Sequence, residues 1–369
     1  MYRKTWIEID LNRLANNFNI VKQHLNPQTR VMAVVKADAY GHGAVPVAKH
    51  LLACGASGLC VATQEEGVEL REGGISAPIL VLGVLPENSA QATVRYKLIQ
   101  QINSAQALQM LEQAAAAMKL PVQAHLKIDS GMGRLGLRNQ DELTAVAQVY
   151  EKCRYTKITG VFSHFAVADE EDGETFTRQQ FSRFMSLASQ VKKFEPDVLL
   201  HCANSAATMR FPEMQLDMVR PGVILFGTEI VPNKTYGFQG VMSLKTVTED
   251  VRLMQPGDTI SYGRTFTVQK PTMVTTLPVG YGDGYKRVIG NRGYVLIGGK
   301  RATVLGRVCM DRMIVCVDGI DVKPGDEAVL LGRQGKEEIT AAQMAQWADT
   351  IPYEIMLSFT PRVPRLYVQ

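Results

Sequence analysis

No stretch of this chain is apolar for long enough to cross a bilayer as a helix, which excludes a transmembrane helix by sequence alone. The opening residues, Met1-Tyr2-Arg3-Lys4-Thr5-Trp6-Ile7-Glu8, place a carboxylate where a secretory signal needs its apolar segment, so a cytoplasmic protein is expected. Basic blocks are also missing: lysines and arginines cluster no further than pairs such as Lys192-Lys193 and Lys286-Arg287, and the formal net charge is only +4. A nucleic-acid binder would carry a stronger footprint, whereas small anionic ligands stay open. The six cysteines, Cys54, Cys60, Cys153, Cys202, Cys309 and Cys316, include no close-spaced pair, and several sit in apolar runs. That spacing favours buried thiols over disulfides. The six histidines form no HExxH-type set, so no metal site is expected. What remains is a globular composition, 46% hydrophobic and 21% charged over 369 residues, long enough for two ordinary domains.

Eight β-rich runs recur from residue 31 onward, at 31–36, 57–62, 78–82, 97–102, 122–128, 157–163, 198–202 and 218–226. Between them lie helical stretches, for example 43–54, 63–73, 104–118, 139–153 and 174–194, and a further helix over 11–24 precedes the first run. Strand-helix alternation argues for parallel β/α units, and eight such units close naturally into a barrel. An open doubly wound sheet is the alternative. After Pro232-Asn233-Lys234 the pattern changes to short strands broken by Pro256-Gly257-Asp258, Gly282-Asp283-Gly284, Gly298-Gly299 and Pro324-Gly325-Asp326, with one helix near 340–349. The expected fold is therefore α/β: a (β/α)8 TIM-like barrel over residues 1–232 followed by a mainly β C-terminal domain over 233–369. Roughly the first 10 residues are free to pair with the β domain.

Polar residues at the C-terminal ends of barrel strands converge on one mouth, and this register places Lys36, Lys127, His164, Asn204 and Arg220 there. Lys36 follows the run Val31-Met32-Ala33-Val34-Val35 and enters a glycine-rich turn. Taken alone it reads as a strand-end lysine reaching solvent. Burial would instead lower its pKa until the neutral amine is a nucleophile suited to Schiff-base chemistry. His164 alone reads as an interior histidine and Arg220 as a surface ion-pair former. Asn204-Ser205-Ala206-Ala207 starts a helix whose amide donors suit an anion, although a plain N-cap explains the same residues. Gly222-Val223 lets a backbone N–H approach a ligand closely. A Schiff-base lysine, a phosphate cradle and the aromatic neighbour Tyr40 together point to pyridoxal 5'-phosphate.

Seven motifs occur in order: Val34-Val35-Lys36-Ala37-Asp38-Ala39-Tyr40-Gly41-His42-Gly43, Lys127-Ile128-Asp129-Ser130-Gly131-Met132-Gly133-Arg134-Leu135-Gly136, Ser163-His164-Phe165-Ala166, His201-Cys202-Ala203-Asn204-Ser205-Ala206, Val219-Arg220-Pro221-Gly222, Ser261-Tyr262-Gly263 and Gly306-Arg307-Val308-Cys309-Met310-Asp311. On these motifs the chain resembles the alanine racemases, fold-type III pyridoxal-phosphate enzymes, along nearly its whole length. The resemblance implies a homodimer in which each barrel mouth is completed by the β domain of the other subunit, interconverting L- and D-alanine to supply peptidoglycan synthesis. It implies that Lys36 holds the cofactor and serves as base on one face of the substrate, with Tyr262 of the partner serving the opposite face. Inversion of a stereocentre by proton removal and return needs two such groups. A relay from Arg220 to His164 to Tyr262 would assist the phenol, whose ordinary pKa is about 10. Arg220 would face the pyridine nitrogen as an obligatory donor.

The resemblance further assigns phosphate contacts to Tyr40, Ser205, Gly222, Val223 and Tyr353. Arg134 would contact cofactor and substrate carboxylate, oriented by a Lys127 that many members carry as a carbamate. Met310 and Tyr281 would bind substrate from the partner domain, with Arg287, Arg307 and Asp311 as gate residues. One departure stands out: Leu225-Phe226-Gly227 has phenylalanine where the family commonly has tyrosine, removing a hydroxyl near the mouth, with altered packing or cofactor affinity as the expected effect. Asp38 is a familiar variant. Three rival readings are a fold-type III amino-acid decarboxylase, which Cys309-Met310-Asp311 superficially resembles, a non-catalytic pyridoxal-phosphate carrier, and a sugar-phosphate barrel enzyme without cofactor.

Overall fold

The protein is described by a computed structural model covering residues 4–369; residues 1–3 of the N-terminal segment lie outside the described residues. The first described strand belongs to the second domain. Strand β1 (Trp6–Asp10) pairs antiparallel with a strand far along the sequence, Met242–Val247, and parallel with the C-terminal strand Arg365–Val368. Asp10 then caps the helix Leu11–Gln23 through its side chain, and that helix buries Leu11, Leu14, Phe18 and Val21 at the spacing of one helical face.

Eight parallel strands follow: β2 (Arg30–Val34), β3 (Gly58–Val61), β4 (Ile79–Val81), β5 (Ile99–Ile102), β6 (Val122–Lys127), β7 (Thr156–Phe162), β8 (Leu199–His201) and β9 (Met218–Val219). Their order, β8-β7-β6-β5-β4-β3-β2-β9, is that of a rolled sheet, nearly closed. The β8–β9 seam is held by single bonds, Asp217 N–H to Leu200 O at 3.2 Å and Arg220 N–H to Ala203 O at 3.0 Å. Side chains of these strands are buried on both faces, as parallel sheets covered by helices require.

Connecting helices start on the residues whose side chains can accept an orphan N–H: Thr63, Ser104, Asn139 and Asn204 each cap a helix. Thr63 and Glu66 form a reciprocal capping box. Two expected elements differ. The run 218–226 is a strand only over Met218–Val219, because Pro221 lacks an N–H for the ladder and Val223–Phe226 winds into a 3-10 turn. The first barrel strand stops at Val34, short of Lys36. Short helices at Ala90–Arg95 and Pro352–Ser358 span too few residues to show a period in the sequence.

The second domain is a mixed sheet built chiefly from residues after 241, into which β1 and the C-terminal strand are woven. A separate two-stranded ribbon, Thr259–Ile260 with Phe266–Thr267, carries Tyr262 in its turn.

Candidate active site

At the C-terminal end of the barrel strands lies a cavity of about 300 Å³. It is lined by Lys36, Tyr40, Lys127, Arg134, His164, Asn204, Ser205, Arg220, Gly222, Val223 and Tyr353, so eleven of the sequence candidates face one space. Its size suits a small cofactor or metabolite.

Lys36 opens a segment with unusual backbone. Ala37, Asp38, Ala39 and Tyr40 all have φ between 51° and 55°, one turn of left-handed helix built without glycine. Each such residue costs about 1–2 kcal/mol, so the turn persists because neighbours over-determine it. Glu66 accepts the Ala37 N–H at 2.7 Å with one oxygen and the Ala62 N–H at 2.6 Å with the other. Asp38 accepts the Ala44 N–H at 2.7 Å, docking the turn on the next helix. The amine of Lys36 is half-buried, and its pKa is lowered, first by burial and then by the Arg134 charge. That raises the fraction of neutral amine available as a nucleophile.

Lys127 is more deeply buried and its pKa is pushed down to about 7, by burial first and the Arg220 guanidinium second, against the pull of Asp129. Its ammonium nitrogen lies 5.3 Å from the centre of the Phe162 ring, and the Arg220 guanidinium 5.2 Å from it. Arg220 is anchored at two nitrogens: Nη1 bonds His201 Nδ1 at 2.7 Å and Nη2 donates to the Ser163 carbonyl at 2.6 Å. His201 is thus the histidine that Arg220 bonds directly. His164 lines the same cavity, and its pKa falls well below the usual value through burial first and the charges of Arg220, Arg134, Lys127 and Lys36 after it. His164 is therefore neutral at neutral pH.

Asn204 caps the helix Ser205–Arg210 by accepting the Ala207 N–H, which is the plainer of its two readings. Ser205 Oγ accepts the Gly222 N–H at 2.8 Å, which leaves its own proton free to donate. Val223 opens a 3-10 turn, so its N–H has no partner within that turn. A Cβ at Gly222 would stand 2.5 Å from the Tyr40 hydroxyl, so only glycine leaves this cradle open. Phe226 packs against Tyr40, which lines the cavity. It is a buried ring, 5.1 Å from Tyr40 and 4.5 Å from His42.

The remaining candidates occupy the other domain. Tyr262 is 67% exposed, Met310 52% and Tyr281 39%, a cluster of large side chains facing solvent in a single chain. Tyr262 and Met310 line a different surface cavity from Lys36, so one chain does not bring Lys36 and Tyr262 together. Backbone bonds from Tyr281 N–H to Cys309 O and from Gly282 N–H to Met310 O join two of these motifs. Asp311 pairs with Arg362 at 2.7 Å, and a Cβ at Gly263 would press on Arg307. Arg287 opens a short 3-10 turn in the same domain. Sequence reasoning missed Phe162, which lines the cavity, and the line His201–His125 that backs Arg220. The signal was present in β6, where His125 and Lys127 stand two residues apart and share a face.

Comparison with known proteins follows the same two-part division. The family model "Alanine racemase, N-terminal domain" matches residues 9–230, and "Alanine racemase, C-terminal domain" matches residues 241–367. The chain belongs to the alanine racemase family. It is 42% identical to the alanine racemase of Halothermothrix orenii, over 99% of this chain and 97% of that protein. With the alanine racemase of Carboxydothermus hydrogenoformans it shares 43% identity, over 99% of this chain and the whole of the relative. The solved alanine racemase of Clostridium difficile 630 superposes with a TM-score of 0.94 at 36% identity, covering 100% of this chain and 96% of that one. The alanine racemase of Bacillus anthracis, solved with bound L-Ala-P, gives 0.92 at 34% identity, with 100% and 96% covered. Membership makes the chain an enzyme of the isomerase class.

Proposed function

We propose that this enzyme interconverts L- and D-alanine with pyridoxal 5'-phosphate, as a cytoplasmic homodimer supplying D-alanine for peptidoglycan. The observation that carries the reading is the single cavity shared by Lys36, Arg220 and the Ser205–Gly222 cradle. Those residues fit the cofactor: an amine of lowered pKa, an open hydroxyl and helix-start amides for a phosphate, and a buried obligatory donor. Lys36 would hold the cofactor covalently, with Tyr40, Ser205, Gly222, Val223 and Tyr353 around its phosphate and Arg220 toward its ring. When bound, pyridoxal phosphate supplies an electron sink that acidifies the α hydrogen of an amino acid.

The protein's own task is to move that proton. Lys36 takes or returns it on one face. The exposed phenol of Tyr262, presented by the partner subunit, would serve the other, with the neutral His164 as its hydrogen-bond partner in the barrel mouth. Two large exposed neighbours, Met310 and Tyr281, are apolar surface that a partner barrel would cover. Arg134 would bind the substrate carboxylate through its guanidinium fork. Lys127, with its pKa near 7, offers the neutral amine that adds carbon dioxide, and the resulting carbamate would fix Arg134 as an anion.

The test is a coupled assay on purified protein with each alanine enantiomer, with absorption spectra before and after borohydride. Both enantiomers are expected to convert, and borohydride is expected to bleach a visible band. Carbon dioxide release without enantiomer exchange would favour the decarboxylase, and absorbance without turnover the carrier.

A further inference from the structure

The loop that presents Arg134 is rich in glycine, with Gly131, Gly133 and Gly136 all at positive φ, and such a segment has many conformations to lose. Three sets of bonds remove that freedom. Asp129 Oδ1 accepts two loop amides, those of Gly131 and Gly133, each at 3.0 Å. The main chain closes behind it, with Asp129 N–H to Leu137 O at 2.9 Å and Leu137 N–H to Lys127 O at 2.8 Å. Ser163 Oγ donates to Ile128 O at 2.8 Å and lies 2.7 Å from Ser130 Oγ. A carbonyl cannot donate, so the Ser163 proton is committed to Ile128 and Ser130 must be the donor between the two hydroxyls.

Gly136 shows how tightly the loop is folded back: a Cβ there would stand 2.6 Å from the Asp129 nitrogen and 2.8 Å from the Lys127 carbonyl. Ser163 has a second attachment, because its carbonyl accepts Arg220 Nη2. The loop is thus tied to the residue that holds the other arginine of the cavity. Arg134 itself is exposed, yet its charge is felt at Lys36, Lys127 and His164, so the loop delivers it to the heart of the cavity.

We propose that Asp129 is a positioning residue: its carboxylate, backed by the Ser130–Ser163 hydroxyl pair, sets the glycine-rich loop in the conformation that aims Arg134 at the carboxylate of the amino-acid substrate. The inference rests on the racemase reading for the substrate and on the loop geometry for the residue. Burial alone would raise the Asp129 pKa, but the Gly131 and Gly133 amides lead the groups that lower it and the net shift is down, so the clamp stays ionised at neutral pH.

Asp129→Ala and Asp129→Asn, compared as holoenzymes, test this. Asp129→Ala removes two charge-assisted bonds and is expected to raise the alanine KM about tenfold while kcat stays within about threefold. Asp129→Asn keeps an oxygen at the same place and is expected to recover most of that loss. Amide hydrogen exchange at Gly131 and Gly133, measured without alanine, is expected to accelerate about tenfold in Asp129→Ala and to recover in Asp129→Asn. Asp129→Ser, which cannot span both amides, is expected to fall between them and substitutes should Asp129→Ala not accumulate. An unchanged KM in the alanine or serine variant, a loss confined to kcat, or an asparagine variant no better than the alanine one would overturn the proposal. Because exchange is read without substrate, loop clamping is tested even if the wild-type enzyme does not racemise alanine, a result that would refute the racemase reading by itself.

Discussion

Arg220 fixes the proton positions of its neighbours. A guanidinium only donates, so His201 Nδ1 must accept, His201 Nε2 carries the proton, and it donates to His125 Nδ1 2.9 Å away. Both imidazoles are held neutral, the His125 pKa pushed down to about 3 by burial first and by Arg220 second. The buried cation therefore sits at the head of a line of neutral acceptors. His201→Leu is expected to leave one guanidinium donor buried without a partner and to cost about 2–3 kcal/mol in urea unfolding; a neutral result would mean that water replaces the ring. Arg220→Glu exchanges an obligatory donor for an acceptor. Slower alanine racemisation and a new long-wavelength absorption are expected, and unchanged spectra would place Arg220 away from the cofactor. Lys36 and Arg220 were legible as candidates because both follow apolar strand runs. His201 stands inside a recognised motif, but its bond to Arg220 spans two strands, which no local pattern shows.

At the scale of elements, the left-handed turn after Lys36 is the part least visible in the sequence. Alanine, aspartate and tyrosine favour negative φ, and four in succession at positive φ is a conformation that local propensity opposes. Contacts from Glu66 and Asp38, the His42 ring bonded to the Ala39 and Tyr40 carbonyls, and Tyr40 packed against Phe226 account for it. The 3-10 turn at Val223–Phe226 is a similar case: a β-rich composition is overruled by Pro221 and by the glycines at either end. Gly222→Ala tests the pairing of these two elements. The added methyl must displace the Tyr40 hydroxyl, and cofactor retention in equilibrium dialysis is expected to weaken about tenfold with the fold intact. Unchanged affinity would show that Tyr40 moves aside without consequence for the phosphate.

For the whole molecule, buried histidines set the acid response. His42 is driven down to about 4 and His125 to about 3, both chiefly by burial, while an unfolded histidine titrates near 6.5. Between those values the unfolded state binds more protons, so stability rises with pH and is lost on acidification below about 6.5, by up to about 1.4 kcal/mol per pH unit for each histidine. Denaturant unfolding at pH 7.5 and pH 5 is expected to show a loss of a few kcal/mol, and equal stabilities would mean that these rings find partners when charged. Assembly has its own test. If each site takes Lys36 from one subunit and Tyr262 from the other, mixing inactive Lys36→Ala and Tyr262→Ala proteins is expected to restore about a quarter of wild-type activity, since half the dimers are hybrids with one intact site of two. No recovery on mixing exchanged subunits would refute the shared site.

Alternating strand and helix patterns, punctuation by proline and glycine, and polar residues following apolar runs determined the barrel, the change to short broken strands after it, and most of the residues that face the cavity, whereas Arg134 and Tyr353 were reached only through the family resemblance. Such patterns are properties of neighbours along the chain, where hydrophobic period and turn chemistry act directly. Tertiary structure decided the rest: the insertion of β1 between strands more than two hundred residues away, the left-handed turn, the His125–His201–Arg220 line and the clamp on the Arg134 loop. Each depends on groups distant in sequence whose energies exceed local preference only when burial brings them together.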